Sequence, residues 1–374
     1  NFANVGIPVT IVEQNQERLD KGLAIIRKNY ENTAKKGRIS TGDLETRMGL
    51  ITGELSVDAL SSQDLIIEAV FENMDLKKEI FKKLDGIAKE GAILASNTSA
   101  LNVNEIAAET KRPEDVIGLH FFSPANVMRL LEIVRGEKTS KPVVASSMSI
   151  AKKIGKIAAV VGVCPGFVGN RILAQRQREA NKLILEGALP WDIDDALFDF
   201  GFPMGPFAMS DLAGLDIGWN KETSKGETLR DLLCEAGRLG QKSGKGFYLY
   251  DQNRNKSPDP EVETIIREFA EARQIRLREI TKEEILQRCL YPMINEGFKI
   301  LDEGMAIRAS DIDIVWINGY GWPAYEGGPM FYGSLIGFDK VLEWLKNMES
   351  ELGPEFKPSP YLEKVVEENI NIFA

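Results

Sequence analysis

Short apolar runs alternate with amphipathic stretches over the first 163 residues, and this alternation restricts the fold more than any other feature. Alternation of this kind is typical of a parallel, doubly wound α/β sheet. The interval between two of the runs, 115–121 and 128–134, is too short to hold a helix. Six runs have the length and composition of β-strands: 7–13, 64–70, 92–99, 115–121, 128–134 and 156–163.

Helical patterns fill most of the intervals between these strands. In the first, Leu19, Leu23 and Ile26 recur on one stripe of a helix over 14–36, which we expect to stop near Gly37. A second helix is predicted to begin after Ser40, a typical N-cap residue, with an acid in its first turn. Further helices are predicted after the strands at 64–70 and 92–99. The segment 143–155 is predicted to be a strand that runs into a helix.

The pattern changes after residue 163, where the sequence becomes mostly helical. Two helical segments share an order of landmarks over 181–207 and 298–330: a helix ending in Glu-Gly, an Asp-Ile-Asp helix start, and a Gly-aromatic-Pro and Gly-Pro turn. A polar linker separates the segments. The sequence therefore predicts an α/β domain followed by two related all-helical domains: 1–163, 164–255 and 256–374.

Composition excludes several classes of function. The formal net charge is −10, so nothing attracts nucleic acid or an anionic membrane to the molecule as a whole. No apolar run approaches the roughly 20 residues that span a bilayer. Three dispersed cysteines and one histidine make no metal-binding set, and the cysteines are typical of a reduced, intracellular protein.

Polar side chains gather where the predicted strands end. Ligands of open parallel sheets bind outside the carboxyl ends of the strands, so these residues are candidates for a binding site. Glu13 closes the run 7–13, which would be the second strand of a βαβ unit, a position from which an acid accepts the ribose hydroxyls of NAD and repels the extra phosphate of NADP. No G-x-G-x-x-G sequence occurs in the chain. We therefore expect the first strand and the pyrophosphate-binding loop to lie upstream of residue 1.

His120 is the single histidine of the 374 residues, and it closes one of the predicted strands. Glu132 interrupts the apolar run of the next strand, and a half-buried carboxylate needs a partner. A His-Glu pair supplies one, because the carboxylate holds one ring nitrogen and leaves the other to accept a proton. We favour this pairing over the alternative, in which Glu132 pairs with Arg129 or Arg135 at the surface. Asn170, in PGFVGNR, is either an amide that orients a substrate or an ordinary turn residue.

Five segments carry a resemblance to a known family: SNTSALNVNEIA, GLHFFSPANVMRLLEIV, CPGFVGNRIL, FGFPMGPFAMSDLAGLD and GRLGQKSGKGFYLYD. They strongly resemble the L-3-hydroxyacyl-CoA dehydrogenases of fatty acid β-oxidation, over nearly the whole chain. The resemblance implies a Rossmann-like first domain that binds NAD. It also implies that His120 is the catalytic base and Glu132 its carboxylate partner, and that Ser99 and Asn170 contact the 3-oxygen and acyl thioester of the substrate. The positions that it places in the NAD pocket are Glu13, Ala69, Glu72, Lys77 and Asn97; it implies no metal.

The second helical segment, with CLYPMINEGFKILDEGMA and GYGWPAYEGGPMFYG, resembles the multifunctional members of the family. In those, an enoyl-CoA hydratase region precedes the dehydrogenase, and the enzymes are peroxisomal in eukaryotes or cytoplasmic in bacteria. Two helical segments that pair within one chain are compatible with a monomer. Two alternatives stay open: a short-chain 3-hydroxybutyryl-CoA dehydrogenase, and a catalytically silent scaffold that binds acyl-CoA.

Overall fold

The structure is a computed structural model that describes residues 1–373. It divides the chain into two compact units, each described by itself below. The sheet unit comprises residues 1–168 and 304–307, and the helical unit comprises 169–303 together with the chain from Arg308 onward. The two helical segments fall in one unit, so their separation into two domains stays a proposal.

The strands of the sheet unit form two sheets. In the smaller, β1 and β2 are parallel. In the larger, the order is β3-β4-β5-β6-β7, and every neighbouring pair is parallel except β5 and β6. The strands are β1 (Val9–Val12), β2 (Ile51–Glu54), β3 (Leu65–Glu68), β4 (Ile93–Ser96), β5 (Val116–Phe121), β6 (Leu130–Arg135) and β7 (Ile157–Gly162). The α/β prediction is therefore confirmed, with one antiparallel pair where the sequence left no room for a helix.

The helices of the sheet unit follow the predicted order. The N-cap of the second is the predicted Ser40, whose Oγ accepts a hydrogen bond from the Asp43 amide at 3.0 Å. Asp43 in turn accepts from the Ser40 amide at 2.9 Å, which completes a capping box. The helices are α1 (Gln16–Lys35), α2 (Thr41–Gly49), α3 (Met74–Ile87), α4 (Val103–Ala107) and α5 (Lys141–Lys153).

Two local predictions were wrong or incomplete. The segment 143–155 was predicted to start as a strand, but α5 already covers its start. Pro142 in the first turn favours a helix, and Val143 packs on the sheet core, which outweighs the strand preference of its β-branched side chain. The sequence did not predict β2. Its Gly53 leaves space that the Leu19 side chain of α1 fills, since a Cβ there would lie 2.9 Å from Leu19.

The edge of the larger sheet is covered by a short segment that the chain supplies much later. The Gly162 amide of β7 donates to the Met305 carbonyl at 2.7 Å, and Val161 and Ala306 form an antiparallel bridge. An unpaired edge strand is a template for association with other chains. The segment 304–307 thus occupies part of that edge.

The helical unit is built around the contact between two long helices, α6 and α11. The unit also contains two short antiparallel strands, β8 (Leu249–Tyr250) and β9 (Lys256–Ser257). The helices are α6 (Gly169–Glu186), α7 (Pro190–Phe200), α8 (Pro206–Ala213), α9 (Leu229–Glu235), α10 (Pro260–Ala272), α11 (Lys282–Asp302), α12 (Ala309–Gly319), α13 (Pro329–Ile336), α14 (Phe338–Leu352) and α15 (Pro360–Glu367).

Reciprocal ion pairs join α6 to α11. Arg171 Nε of α6 donates to Glu296 of α11 at 2.6 Å, and Arg288 Nε of α11 donates to Glu179 of α6 at 2.7 Å. In each helix, the arginine lies eight residues before the glutamate that accepts from the arginine of the other helix. The outer contacts repeat the exchange: Arg171 with Glu303, and Arg288 with Glu186. The internal repeat of the sequence is thus visible as a two-fold exchange of partners.

A buried aspartate repeats in the same way. Asp194 of α7 accepts two backbone N–H groups from the first turn of α8, and Asp313 of α12 accepts two from the first turn of α13. Gly205 and Gly328 precede those turns, and a Cβ on either would collide with the aspartate beside it. The Asp-Ile-Asp and Gly-Pro landmarks are therefore two halves of one capping contact.

Loss of Arg288 is expected to destabilise the helical unit strongly. Its side chain is 1% exposed and that of Glu179 is fully buried, so Arg288→Met leaves a buried carboxylate without its main partner. Such losses cost about 3 kcal/mol or more of the free energy of unfolding. Denaturant titration measures the change.

Two variants make that measurement specific. Arg267→Met removes an exposed pair within α10 and should cost less than about 0.5 kcal/mol. Adding Glu179→Leu to Arg288→Met removes the buried carboxylate that has lost its main partner. The double variant should therefore recover part of the lost free energy of unfolding. Equal costs for Arg288→Met and Arg267→Met would contradict the assigned importance of the buried pair.

The stability of the helical unit is expected to depend on pH through Asp313. Burial raises the pKa of this carboxyl from its ordinary 3.8 to about 7, although two backbone N–H groups favour the charged form. Between these values the folded chain binds a proton that the unfolded chain has lost, so this contribution to stability falls as pH rises. Denaturation of the wild type and of Asp313→Asn at pH 5 and pH 8 tests this. From pH 5 to pH 8, the free energy of unfolding of the wild type should fall relative to that of the variant. A difference between the two proteins that is the same at both pH values would refute the prediction.

Candidate active site

His120 and Glu132 face each other across the antiparallel pair β5 and β6, where the register makes them direct partners. The His120 Nδ1 atom and the Glu132 Oε2 atom are 2.8 Å apart. His120 is 6% exposed and Glu132 is fully buried. The structure therefore shows the pairing that the sequence favoured, and not a surface contact of Glu132 with an arginine. With Nδ1 held by the carboxylate, Nε2 is the ring nitrogen that can accept a proton from a substrate.

Two aromatic rings pack against His120, and the backbone amide of the next residue makes a hydrogen bond to Asn97. The ring centroid of His120 lies 4.3 Å from that of Phe122 and 5.9 Å from that of Phe167. Next to it, the Phe121 amide donates to Asn97 Oδ1 at 2.8 Å. Asn97, predicted from the resemblance to line the cofactor pocket, thus ties the end of β4 to the end of β5. Its position fixes the strand that carries the histidine.

A second buried charge pair lies at the ends of β3 and β4. Lys77 Nζ donates to Glu68 Oε1 at 2.7 Å, and both side chains are 1% exposed. Ser96 Oγ donates to the other oxygen of Glu68, also at 2.7 Å. The sequence analysis did not predict this pair, although Glu68 carries the same signal as Glu132, a charged residue inside an apolar strand. Lys77, which the resemblance places in the NAD pocket, has a buried side chain that pairs with Glu68.

The Glu72 carboxylate accepts hydrogen bonds from the turn that follows β4. Its Oε1 atom accepts from Thr98 Oγ1 at 2.6 Å and from the Ser99 amide at 2.8 Å, and Lys77 Nζ lies 3.4 Å from its Oε2. Burial opposes ionisation of Glu72, but these hydrogen bonds and the nearby ammonium group outweigh it and lower its pKa. The structure thus brings together three of the predicted residues, Glu72, Lys77 and Ser99, around one charged carboxylate.

The remaining predicted residues belong to other elements of the fold. Glu13 is half-buried just after β1, in the smaller sheet, where Gln14 donates its amide to the Glu13 carboxylate. Ala69 is exposed directly after β3. Asn170 belongs to the helical unit, in the first turn of α6, and its Oδ1 accepts a hydrogen bond from Tyr320 at 2.8 Å. Tyr320 was not predicted, because no local pattern marks a partner 150 residues away.

Within residues 1–373, no group of three or more histidine, cysteine, aspartate or glutamate side chains is arranged to hold a metal ion. Over the same residues, no helix has both the length and the apolar character needed to cross a bilayer. Cys234 and Cys289 are buried, and Cys164 is partly buried.

Polar groups at the ends of parallel strands and a histidine held by a carboxylate fit an α/β enzyme that binds a ligand at this edge of the sheet and transfers a proton there. The family comparison narrows the class. Residues 1–164 match the family described as 3-hydroxyacyl-CoA dehydrogenase, NAD binding domain. Residues 166–250 and 285–371 each match the C-terminal domain of the same family. The chain belongs to the 3-hydroxyacyl-CoA dehydrogenase family.

Named relatives agree with this assignment. The chain is 44% identical to the peroxisomal bifunctional enzyme of Cavia porcellus, over 98% of this chain and 53% of that protein. Among solved structures, the dehydrogenase part of multifunctional enzyme 1 from C. elegans is 34% identical, with a TM-score of 0.70, over 97% of this chain and 85% of that one. The 3-hydroxybutyryl-CoA dehydrogenase of Escherichia coli is 25% identical, with a TM-score of 0.83, over 98% and 94% of the two chains. The chain spans about half the length of the curated relatives it matches.

Proposed function

We propose that this chain oxidises a (3S)-3-hydroxyacyl-CoA to the 3-oxoacyl-CoA with NAD, as a step of fatty acid β-oxidation. The observation that carries the proposal is the buried pair of His120 and Glu132, 2.8 Å apart in a matched strand register. An alcohol loses both a hydride and a proton on oxidation. NAD, when bound, supplies the hydride acceptor, and the histidine is the group that takes the proton.

The two residues divide the work of proton transfer. His120 accepts the proton of the substrate hydroxyl at Nε2, while Glu132 holds Nδ1 and fixes the plane of the ring. The imidazolium that forms is buried, and a charge without a partner there would be costly. The Glu132 carboxylate lies within hydrogen-bonding distance of it and offsets that cost. Because the reaction releases a proton, raised pH favours the oxidised product.

The residues at the strand ends fit a dinucleotide. Glu13 offers a half-exposed carboxylate after β1, the position from which an acid accepts ribose hydroxyls. Ala69 is small and exposed after β3, so a ligand can approach the backbone closely. Glu72 stays ionised because Thr98, Ser99 and Lys77 stabilise its charge. On this proposal Glu13, Ala69, Glu72 and Asn97 line the cofactor, and Lys77 orients Glu72.

The substrate side rests on Ser99 and Asn170. Ser99 lies in the turn that Glu72 holds, and its hydroxyl is 3.2 Å from the Glu72 carboxylate. Asn170 presents an amide from the first turn of α6. We assign them to the 3-oxygen and the acyl thioester of the substrate. For the full-length protein we propose an enoyl-CoA hydratase region upstream, as in the multifunctional members that the chain resembles. Its location would be peroxisomal in a eukaryote, as the name of the peroxisomal bifunctional relative indicates, and cytoplasmic in a bacterium.

A short-chain preference is the second candidate. It is favoured by the TM-score of 0.83 to the structure of a 3-hydroxybutyryl-CoA dehydrogenase. Rates with 3-hydroxyacyl-CoA substrates of increasing chain length separate the two. A fall beyond the four-carbon substrate would support the short-chain enzyme, and a rise would support the β-oxidation enzyme.

The test of the function is NADH formation from (3S)-3-hydroxyacyl-CoA. We would compare this chain with one extended upstream by about one strand and loop, the span with which a βαβ unit starts. The (3R) substrate is the matched control and should give no NADH. If neither chain forms NADH, the dehydrogenase proposal fails, and acyl-CoA binding without turnover is the activity to measure.

A further inference from the structure

Asn170 is held by a residue from the other half of the helical unit. Tyr320, which directly follows α12, donates its hydroxyl to Asn170 Oδ1 at 2.8 Å. An asparagine side chain offers an acceptor at one end and a donor pair at the other. In the structure the Oδ1 end of the amide faces the Tyr320 hydroxyl and accepts from it. The NH₂ group becomes the end that is turned toward other partners.

The tyrosine itself is fixed before it reaches Asn170. Its ring stacks on Trp316, with centroids 4.6 Å apart and an angle of 24° between the planes. Trp316 is fully buried, and the Tyr320 amide donates to its carbonyl at 3.2 Å. The hydroxyl therefore has little freedom to move away from the amide.

Gly169 makes the approach possible. A Cβ at this position would collide with the ring and hydroxyl of Tyr320, so only a residue without a side chain fits between them. The φ of Gly169 is not positive, so residues with a side chain can adopt its backbone conformation. Steric space, and not backbone conformation, explains a glycine there.

The internal repeat supplies a natural comparison. The exchange of Arg171 and Arg288 aligns α6 with α11, so Gly169 and Asn170 correspond to Leu286 and Gln287. In the turns that follow, Tyr320 precedes Gly321 as Phe200 precedes Gly201.

The second copy of this arrangement lacks all three features. It has a leucine for the glycine, a longer amide for the asparagine and a phenylalanine for the tyrosine. Gln287 there accepts a hydrogen bond from Trp344 Nε1 instead, at 3.1 Å. Fold and packing are thus satisfied without a hydroxyl at this position. The tyrosine accompanies the amide only in the repeat for which we propose a substrate contact.

We propose that Tyr320 is a positioning residue for the dehydrogenase reaction, which it serves by orienting the Asn170 amide so that Nδ2 donates to the acyl thioester carbonyl of the substrate. The second helical segment thereby contributes to the site that the first one carries. The proposal rests on the function proposed above.

The decisive variant is Tyr320→Phe in the full-length protein, since it removes one oxygen and keeps the stacked ring. We expect kcat/KM for (3S)-3-hydroxyacyl-CoA to fall about tenfold, the upper range for one orienting hydrogen bond. Asn170→Asp keeps the acceptor for Tyr320 but lacks the donor, so it should lose at least as much. In the Asn170→Ala background, Tyr320→Phe should change kcat/KM by less than about twofold, because no amide is left to orient.

Tyr325→Phe is the matched control. Tyr325 also lies in the second segment, and its hydroxyl also crosses to the first, donating to the Phe200 carbonyl at 3.0 Å. Its loss should leave kcat/KM unchanged. Melting temperatures of all variants distinguish a general loss of structure from a loss of orientation.

The outcomes separate the two proposals. If the wild type turns over and Tyr320→Phe keeps its full kcat/KM, the positioning role is wrong and the dehydrogenase function stands. If Tyr320→Phe lowers kcat/KM equally with and without the Asn170 amide, its role is structural only and the inference is overturned. If the wild type forms no NADH, the proposed function fails and the inference fails with it.

Discussion

Replacement of His120 by alanine is expected to lower kcat for NADH formation by roughly a hundred- to ten-thousandfold, the range for loss of a general base. His120 is the single histidine of the chain, so no second imidazole is available to take over the proton. Its partner Glu132 holds Nδ1 at 2.8 Å, which commits the ring to transfer through Nε2. Steady-state rates at saturating substrate and NAD measure the effect.

The alanine variant also leaves Glu132 buried without this partner, so a loss of activity could reflect a loss of fold. His120→Gln is the matched variant, because its amide can still donate to the carboxylate while it cannot act as a base near neutral pH. The circular dichroism spectrum and melting temperature of His120→Gln should stay close to those of the wild type. Turnover within tenfold of the wild type in this folded variant would remove His120 from the mechanism.

The pairing of His120 with Glu132 was predictable because it follows from a pattern that is local in the sequence. A titratable residue inside an apolar strand needs a partner, and the short connection between 115–121 and 128–134 makes those strands neighbours. The same rule applied to Glu68 would have found the buried pair with Lys77, which lies nine residues further along the chain. That pair is therefore predictable from the sequence by the same rule.

Other contacts were not accessible from local patterns. The hydrogen bond between Tyr320 and Asn170 and the exchange of Arg171 and Arg288 join residues more than a hundred positions apart. The repeat predicted that the two helical segments are related, but it does not say which faces meet. The coverage of β7 by 304–307 is of the same kind, since that segment has no strand pattern. Such pairings depend on how elements pack, which the local periodicity does not encode.

Replacement of Glu132 by glutamine is expected to lower kcat by roughly a hundred- to ten-thousandfold while the fold keeps its stability. Glutamine has almost the same shape, and its oxygen can still accept from Nδ1. What the variant lacks is the negative charge beside the ring. The ring must become positively charged as it takes the substrate proton, in a place where His120 is 6% exposed and Glu132 is fully buried. The missing charge is therefore felt in the transition state.

Stability should respond in the opposite direction from activity. A buried carboxylate beside a neutral ring is costly to desolvate, and its replacement by a neutral amide removes that cost. The melting temperature of Glu132→Gln should consequently equal or exceed that of the wild type. Such a gain in stability with a loss of activity is expected for a residue that serves catalysis at a cost in stability. A variant that loses activity and stability together would indicate a structural role for Glu132. Near-normal turnover in a stable variant would mean that the carboxylate only positions the ring, and that its charge contributes little to catalysis.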